Sequence, residues 1–150
     1  MLAACSKEPT PAVAPDDVPL VAQAGDTSLA APVEEFRSAF APGGIAATYS
    51  ATFSANQIKT ITETRKANDT APARSGEYEF YGARLIKYQG AALGSAEHIA
   101  LEFDIQGKVL VARARGNTVS AEEISAIRDR AQSLRSHAVA QRAVRGHEKR

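Results

Sequence analysis

Two pairs of carboxylates stand two residues apart in stretches that alternate between apolar and polar side chains. The pairs are Glu77 with Glu79, and Glu102 with Asp104. Residues two apart on a β-strand project from one face, roughly 7 Å apart, a separation that suits glycosidase carboxylates or an oxygen-ligand metal site. Alternation alone also places such residues on the solvated face of an antiparallel sheet. The sequence favours this second, structural interpretation.

The other residue types that could do chemistry have no partners at a suitable spacing. We expect His98 on the polar side of a strand, His137 on the outer side of a helix and His147 in the C-terminal tail. None of them has a second ligand at the spacing of a metal site. A Gly-rich phosphate loop and a serine nucleophile elbow are also missing from the sequence. The sequence therefore predicts no enzyme, no metal and no cofactor.

Four arginines near the C-terminus are the candidate binding residues. Arg128, Arg135 and Arg142 recur every seven residues, so on a helix they form a row beside its apolar stripe. The stripe ends at Ala138, so we expect the last turns, with Arg142 and Arg145, to overhang the sheet. This basic end could bind lipid head groups, lipopolysaccharide phosphates, peptidoglycan carboxylates or an acidic protein. The alternative is that the arginine stems simply lie over the edge of the sheet.

The single cysteine, Cys5, directly follows Leu2-Ala3-Ala4 and precedes a polar, proline-rich segment. Leu2-Ala3-Ala4-Cys5 resembles the lipobox of bacterial lipoproteins. The resemblance covers four residues and implies cleavage before Cys5, a diacylglycerol thioether on its thiol and an acyl chain such as palmitate on its amine. Several acyl chains give stable membrane anchoring, whereas one gives marginal binding.

The lipobox also implies a location for the protein. A signal peptide should precede Leu2, so we expect the native gene to begin upstream of Met1. Ser6 follows the cysteine where an Asp would retain the protein in the inner membrane, which implies the periplasmic face of the outer membrane. Lipid on Cys5 leaves no thiol for a disulfide or a metal site.

Composition divides the chain into three parts. Residues 1–5 are the remnant of the lipobox, residues 6–31 are a Pro/Ala-rich tether that we expect to be disordered, and residues 32–150 are a single domain. The net charge is +1 at pH 7, which gives no reason to expect binding to nucleic acid. We expect a monomer that contacts the membrane through the lipid on Cys5.

The domain is expected to be α+β, with an antiparallel meander of about five strands covered on one face by a long C-terminal helix. The helix is expected to pack through Ile124, Ile127 and Leu134 against strand residues such as Phe53, Leu101 and Val109. Ser120 is the expected N-cap of that helix, with Glu123 completing a capping box, and Gly146 is its expected end. A short first helix is expected at 32–40, with Val33, Phe36 and Phe40 on one face. The predicted strands cover 45–54, 58–66, 77–88 with a β-bulge at Gly82, 98–103 and 109–111. A helix stays open as the alternative for 58–66, because the spacing of Ile58 and Ile61 also suits one. A loop is expected at 67–76 and hairpin turns at 54–57 and 104–107.

The expected function is that of a non-enzymatic envelope lipoprotein which binds another envelope component, either protein, peptidoglycan or lipid, through its sheet edge or through its basic helix end. Two alternatives stay open. A hydrolase or metal-dependent enzyme would use the carboxylates of the polar sheet face. A small-ligand carrier would need a cavity between the sheet and the helix.

Overall fold

The computed structural model describes residues 32–41, 46–67, 73–93, 95, 97–115 and 118–150. Over this part the chain forms one antiparallel sheet of seven strands, in which every strand pairs with its neighbours in sequence, and one helix that packs on the sheet. The α+β meander with a C-terminal helix is thus confirmed, although the number of strands is seven rather than five. Residues 1–31, with the predicted lipobox and tether, lie outside the described residues. The elements are β1 (Val33–Phe40), β2 (Ala47–Ser54), β3 (Gln57–Arg65), β4 (Arg74–Tyr81), β5 (Arg84–Ala91), β6 (His98–Phe103), β7 (Val109–Ala114) and α1 (Ala121–Glu148).

The predicted short helix at 32–40 is wrong, because this segment is the edge strand β1. Its eight residues pair with all of β2, from Val33 opposite Ser54 to Phe40 opposite Ala47. Phe36 and Phe40 are four apart, a spacing that puts them on one face of a helix and also on one face of a strand. The pairing with β2 shows that the segment is a strand.

The single strand predicted at 77–88 is also wrong, because Gly82 and Ala83 form a two-residue hairpin turn between β4 and β5. Tyr81 pairs with Arg84 across this turn, and Gly82 has a φ of 61°. Glycine at the first central position is what a tight hairpin turn of this kind requires. The change of parity at Gly82 therefore marks a reversal of the chain and not a bulge. β4 also begins at Arg74, within the predicted loop.

The two predicted hairpin turns are confirmed. Between β2 and β3, Ala55 and Asn56 both have positive φ, which matches the right-handed twist of the strands. Between β6 and β7, Asp104 accepts hydrogen bonds through Oδ1 from the backbone N–H groups of Gln106 and Lys108 at 2.9 and 2.8 Å.

Helix α1 begins as predicted but ends later. Ser120 is the N-cap, and its Oγ accepts the N–H of Glu123 at 3.1 Å. The carboxylate of Glu123 is used by the β5–β6 connection, where Oε1 accepts the N–H of Leu93 at 2.6 Å. Gly146 does not stop the helix, which continues to Glu148. No helix of the described part is long and apolar enough to cross a membrane.

The core lies between the inner face of the sheet and the predicted stripe of α1. Ile127 and Leu134 are fully buried, whereas Ile124 is only half-buried. Val109, expected to receive the helix, is 36% exposed instead. The inner face of the sheet is also rich in aromatic rings. Its largest buried apolar residues are Phe36, Tyr49, Phe53, Ile58, Ile61, Tyr78, Phe80, Tyr88, Ile99, Leu101 and Phe103.

Candidate functional site

A basic groove lies between the edge strand β1 and the C-terminal half of α1. Its volume is about 580 Å³. The floor contains the rings of Phe36 and Phe53, and the wall includes Arg142, Arg145 and Lys149 from the helix. This combination of apolar rings and cations is the chemistry expected of a site for anionic groups on a partly apolar ligand.

Arg142 contacts the sheet directly. Its guanidinium lies over the ring of Phe53, 4.4 Å from the centroid, and Nη2 donates to Glu34 Oε2 at 2.7 Å. A longer bond of 3.3 Å reaches Asn56 Oδ1 in the β2–β3 turn. The bond from Arg142 lowers the pKa of the Glu34 carboxyl, with help from the charges of Arg142 and Lys149.

Arg145 lies one turn further along the same side of the helix. Its guanidinium stacks over the ring of Phe36, 4.4 Å from the centroid. Together with Arg142, it shows that the last turns of α1 do not overhang the sheet, so that prediction is wrong. The apolar stripe of the helix ends at Ala138, but the arginine stems and flat guanidiniums continue the contact over aromatic rings.

The other two arginines of the predicted row do not reach the groove. Arg128 stacks over Phe103 at 4.5 Å and donates to the backbone oxygen of Gly107, in the β6–β7 turn. Arg135 is half-buried, and its Nε has no hydrogen-bond partner among the described residues. Because of the spacing of seven, Arg128 and Arg142 lie on the same side of the helix. They contact different parts of the sheet, since Arg128 reaches the β6–β7 turn and Arg142 lies over Phe53 in β2.

Three of the four paired carboxylates, Glu77, Glu79 and Glu102, lie on the outer face of the sheet, away from α1. Glu79 pairs with Lys87 and Lys87 pairs with Glu102 across neighbouring strands, so negative and positive side chains alternate across this face. Asp104 opens the β6–β7 turn, where its bonds to backbone N–H groups lower the pKa of its carboxyl. Within the described ranges, no group of three or more His, Cys, Asp or Glu side chains is arranged to hold a metal ion.

One of the three histidines is in the core layer. His137 Nδ1 lies 2.9 Å from Tyr49 Oη, and its ring lies 4.8 Å from that of Phe40. The prediction that His137 faces outward is therefore wrong. His98 and His147 are exposed. Cys5 lies outside the described residues.

A buried ionic cluster between β3, β4 and α1 was not predicted from the sequence. Glu63 is completely buried, and Arg130 is 7% exposed. Glu63 Oε1 accepts from Arg130 Nε at 2.9 Å and also from Arg130 Nη2, while Glu63 Oε2 accepts from Tyr78 Oη at 2.8 Å. A buried ion pair is tolerated when its remaining polar atoms are also bonded. Arg130 and Tyr78 together meet that requirement for both oxygens of Glu63.

A second buried guanidinium, that of Arg65, lies on the inner face of the sheet near the end of β5. Arg65 donates from Nη2 to the backbone oxygen of Ala91 at 2.8 Å and from Nη1 to that of Ala92 at 3.3 Å. Tyr88 Oη donates to the same Ala91 oxygen. These bonds hold the end of β5. The β5–β6 connection that follows contacts Glu123 near the start of α1.

Parity along β3 contained a signal for this cluster. Ile61, Glu63 and Arg65 alternate with three threonines, so strand geometry places both charges on the apolar face with Ile61. Arg130 is three residues after Ile127, inside the apolar stripe of the helix. One acidic and one basic residue on facing apolar surfaces indicate a buried pair.

The buried tyrosines are expected to make the domain less stable at alkaline pH. Burial and the nearby Glu63 charge raise the pKa of Tyr78, and burial raises the pKa of Tyr88 to about 12. The unfolded chain releases these protons near pH 10, so their contribution is complete below pH 10 and decreases above it. The loss should be about 1 kcal/mol for each tyrosine near pH 11.

Urea unfolding from pH 8 to pH 11 measures this effect, and Tyr88→Phe should make the slope shallower. A slope that is equal in Tyr88→Phe and the wild type would contradict the assignment to Tyr88.

Comparison with known proteins gives no relative from which a function could be transferred. The chain matches no protein-family model, and no curated protein or solved structure is significantly similar to it.

Proposed function

We propose that this protein is a non-enzymatic envelope lipoprotein, anchored through lipid on Cys5, whose domain binds another envelope component in the basic groove. The observation that carries the binding proposal is the placement of Arg142 and Arg145. Both guanidiniums lie over phenylalanine rings, each 4.4 Å from the ring centroid, and these contacts favour their positions beside the groove before any ligand arrives. A site whose cations are already ordered loses less entropy when an anionic group binds.

Several features of the groove support an anionic ligand. Arg37, Arg142, Arg145 and Lys149 line it, together with only two carboxylates, Glu34 and Glu35. Cations near apolar rings in a concave site attract anionic groups more strongly than isolated surface cations do. Lipid phosphates, peptidoglycan carboxylates and acidic protein segments all provide such groups.

The anchor is supported by the four residues that resemble a lipobox and by the Pro/Ala-rich segment that follows them. Mass spectrometry of the protein from its native host tests this part. We expect a lipidated N-terminal Cys5, and we expect Cys5→Ala or globomycin treatment to accumulate a longer, unprocessed precursor. An unmodified Cys5 thiol in the native host would contradict the proposed anchor.

The binding proposal is tested by capture of envelope components on the full chain. Arg145→Ser with Lys149→Ser removes two cations but leaves the bond between Arg142 and Glu34 in place. We expect this variant to lose most binding to anionic vesicles, sacculi or captured protein, with the largest loss at low salt. Arg113→Ser on the opposite edge strand is the matched control and should bind as the wild type does. Equal binding by both variants would exclude the groove.

A further inference from the structure

We propose that β1 accepts an extended acidic segment of a partner protein as an eighth strand, with its carboxylates in the basic groove. This inference rests on the proposed function, because it names the partner chemistry of the same site. It is carried by three features of the described residues, which are the open edge of β1, the wall that α1 forms beside it and the excess of cations around both.

The edge of β1 is long, regular and accessible. Its eight residues pair with β2 without a register shift, and Phe36 is its only buried residue. The outer edge of such a strand presents unpaired N–H and C=O groups, on which an added strand can pair. Val33, at the start of β1, is 70% exposed, so the edge is accessible from its first residue.

The opposite edge strand, β7, is less suitable for strand addition. It has six residues, and its pairing with β6 shifts register between Glu102 and Phe103. A bulge disrupts the ladder and twists an edge away from a regular partner strand. Of the two edges, β1 therefore fits an added strand better.

The side chains around β1 select an acidic segment. Glu34 is bonded to Arg142, and Glu35 is bonded to Arg37 at 2.8 Å. Arg145 and Lys149 make no ion pair in the described part of the chain, although both line the groove. An added strand with carboxylates on alternate residues would bring negative charge to these two cations.

Glu34 shows how a partner carboxylate would be held. It comes from the edge strand itself and accepts two bonds from Arg142, from Nε at 3.2 Å and from Nη2 at 2.7 Å. A carboxylate on the added strand can take the same donors. Glu34 thus competes with the partner for Arg142, and its charge weakens binding of a second carboxylate.

An acidic peptide fits these features better than a membrane or a glycan does. The guanidiniums of Arg142 and Arg145 lie over the aromatic rings of a concave groove, which one extended chain can enter more readily than a flat membrane surface can. A peptide is also the ligand that can use the backbone edge of β1. The positive charge of the groove alone would suit an acidic peptide, an anionic membrane or an anionic glycan equally.

The probe is a fluorescent nine-residue peptide that alternates threonine and glutamate, with a lysine-for-glutamate peptide as its matched control. We expect saturable binding of the glutamate peptide to the full chain, and binding at least about tenfold weaker for the lysine peptide. Arg145→Glu with Lys149→Glu should also weaken binding at least about tenfold. Arg113→Glu on β7 should leave binding unchanged.

Two measurements separate strand addition from simple attraction of charges. Hydrogen exchange should slow at β1 amides when the peptide binds, and N-methylation of alternate peptide residues should abolish binding in one parity but not in the other. The Glu34→Gln variant, which removes the competing charge, should bind the peptide about threefold more tightly or better. Weaker binding by Glu34→Gln, or equal effects of both N-methyl parities, would overturn the proposal.

The remaining outcomes distinguish this inference from the proposed function. Binding of phosphatidylglycerol vesicles or sacculi that depends on Arg145 and Lys149, without peptide-dependent protection of β1, would refute strand addition but preserve the anionic site. If the glutamate peptide, the vesicles and the sacculi all fail to bind, both strand addition and the proposed anionic site are refuted. Exchange protection at β7 instead of β1 would show that the peptide adds to the opposite edge of the sheet, and it would refute the proposed position. Concentration-dependent dimers that protect β1 without peptide would identify a second copy as the occupant and refute a heterologous partner.

Discussion

Arg130→Met is expected to destabilise the domain by about 3–5 kcal/mol, the cost of leaving one member of a buried ion pair without its partner. Glu63 is fully buried, so no water can replace the two bonds that Arg130 donates to Oε1. Among the described residues, Tyr78 would be the one remaining donor to the carboxylate. Urea or thermal unfolding of the full chain measures the change in the free energy of unfolding.

The double variant Glu63→Gln with Arg130→Met separates the charge from the packing. Glutamine removes the buried charge but keeps an amide oxygen for Tyr78, so we expect the double variant to recover at least half of the lost free energy. The matched control is Arg37→Met, which breaks an exposed pair with Glu35 and should leave the unfolding midpoint unchanged. An Arg130→Met effect as small as the Arg37→Met effect would contradict the role given to the buried pair.

Gly90→Ala is expected to cost more than about 3 kcal/mol, because the new Cβ would collide with backbone that cannot move independently. Gly90 has a φ of 155°, and its Cβ would lie 2.5 Å from the backbone oxygen of Ser75 and even closer to Gly76 Cα. The two strands would have to separate at this point. Unfolding measurements test the loss, and circular dichroism verifies that the variant still folds.

Two other glycines provide controls for this prediction. Gly76→Ala places Cβ 2.8 Å from Tyr88 Oη, which is a side chain that can shift, so a smaller cost of about 1–3 kcal/mol is expected. Gly146 is inside α1 with open space around it, so Gly146→Ala should stabilise the domain by up to about 1 kcal/mol. If Gly90→Ala cost no more than Gly76→Ala, the backbone contact would not be limiting.

The class of the fold could be predicted from the sequence because its strongest patterns are local. The alternation in β2, the Asp-to-Gly turn after β6 and the Ser120 cap each depend on residues close together in the chain. Period-two and period-3.6 patterns then indicate which face of each element is buried. These patterns suffice to place Ile127 and Leu134 against the sheet.

The errors occurred where one local pattern is compatible with two structures. The spacing of Phe36 and Phe40 fits both a helix and a strand, and the pairing partner that decides between them is a different segment, β2. The parity change at Gly82 fits both a bulge and a turn. The turn is favoured because β5 then pairs with β4 and extends the sheet toward β6.

The positions of the residues that line the candidate groove were predicted in part. The sequence identifies Arg142 and Arg145 as residues beyond the apolar stripe, and this position is correct. Their contacts with Phe53 and Phe36 depend on how far α1 travels across the sheet before it ends. That path is set by tertiary packing, so it also decides that Arg128 reaches the β6–β7 turn instead of the groove.

The order of the strands has a consequence for how the chain reaches its native state. Because each strand pairs with its neighbours in sequence, the whole sheet can form hairpin by hairpin, with only short loops to close. The exception is the packing of α1 on the sheet, where Arg130 and Glu63 are 67 positions apart and Arg142 and Glu34 are 108 positions apart. Closing so long a loop costs entropy that is recovered only when the helix docks. Helix docking is therefore expected late in folding. Substitutions at the contact between Arg142 and Glu34 should accelerate unfolding far more than they slow folding.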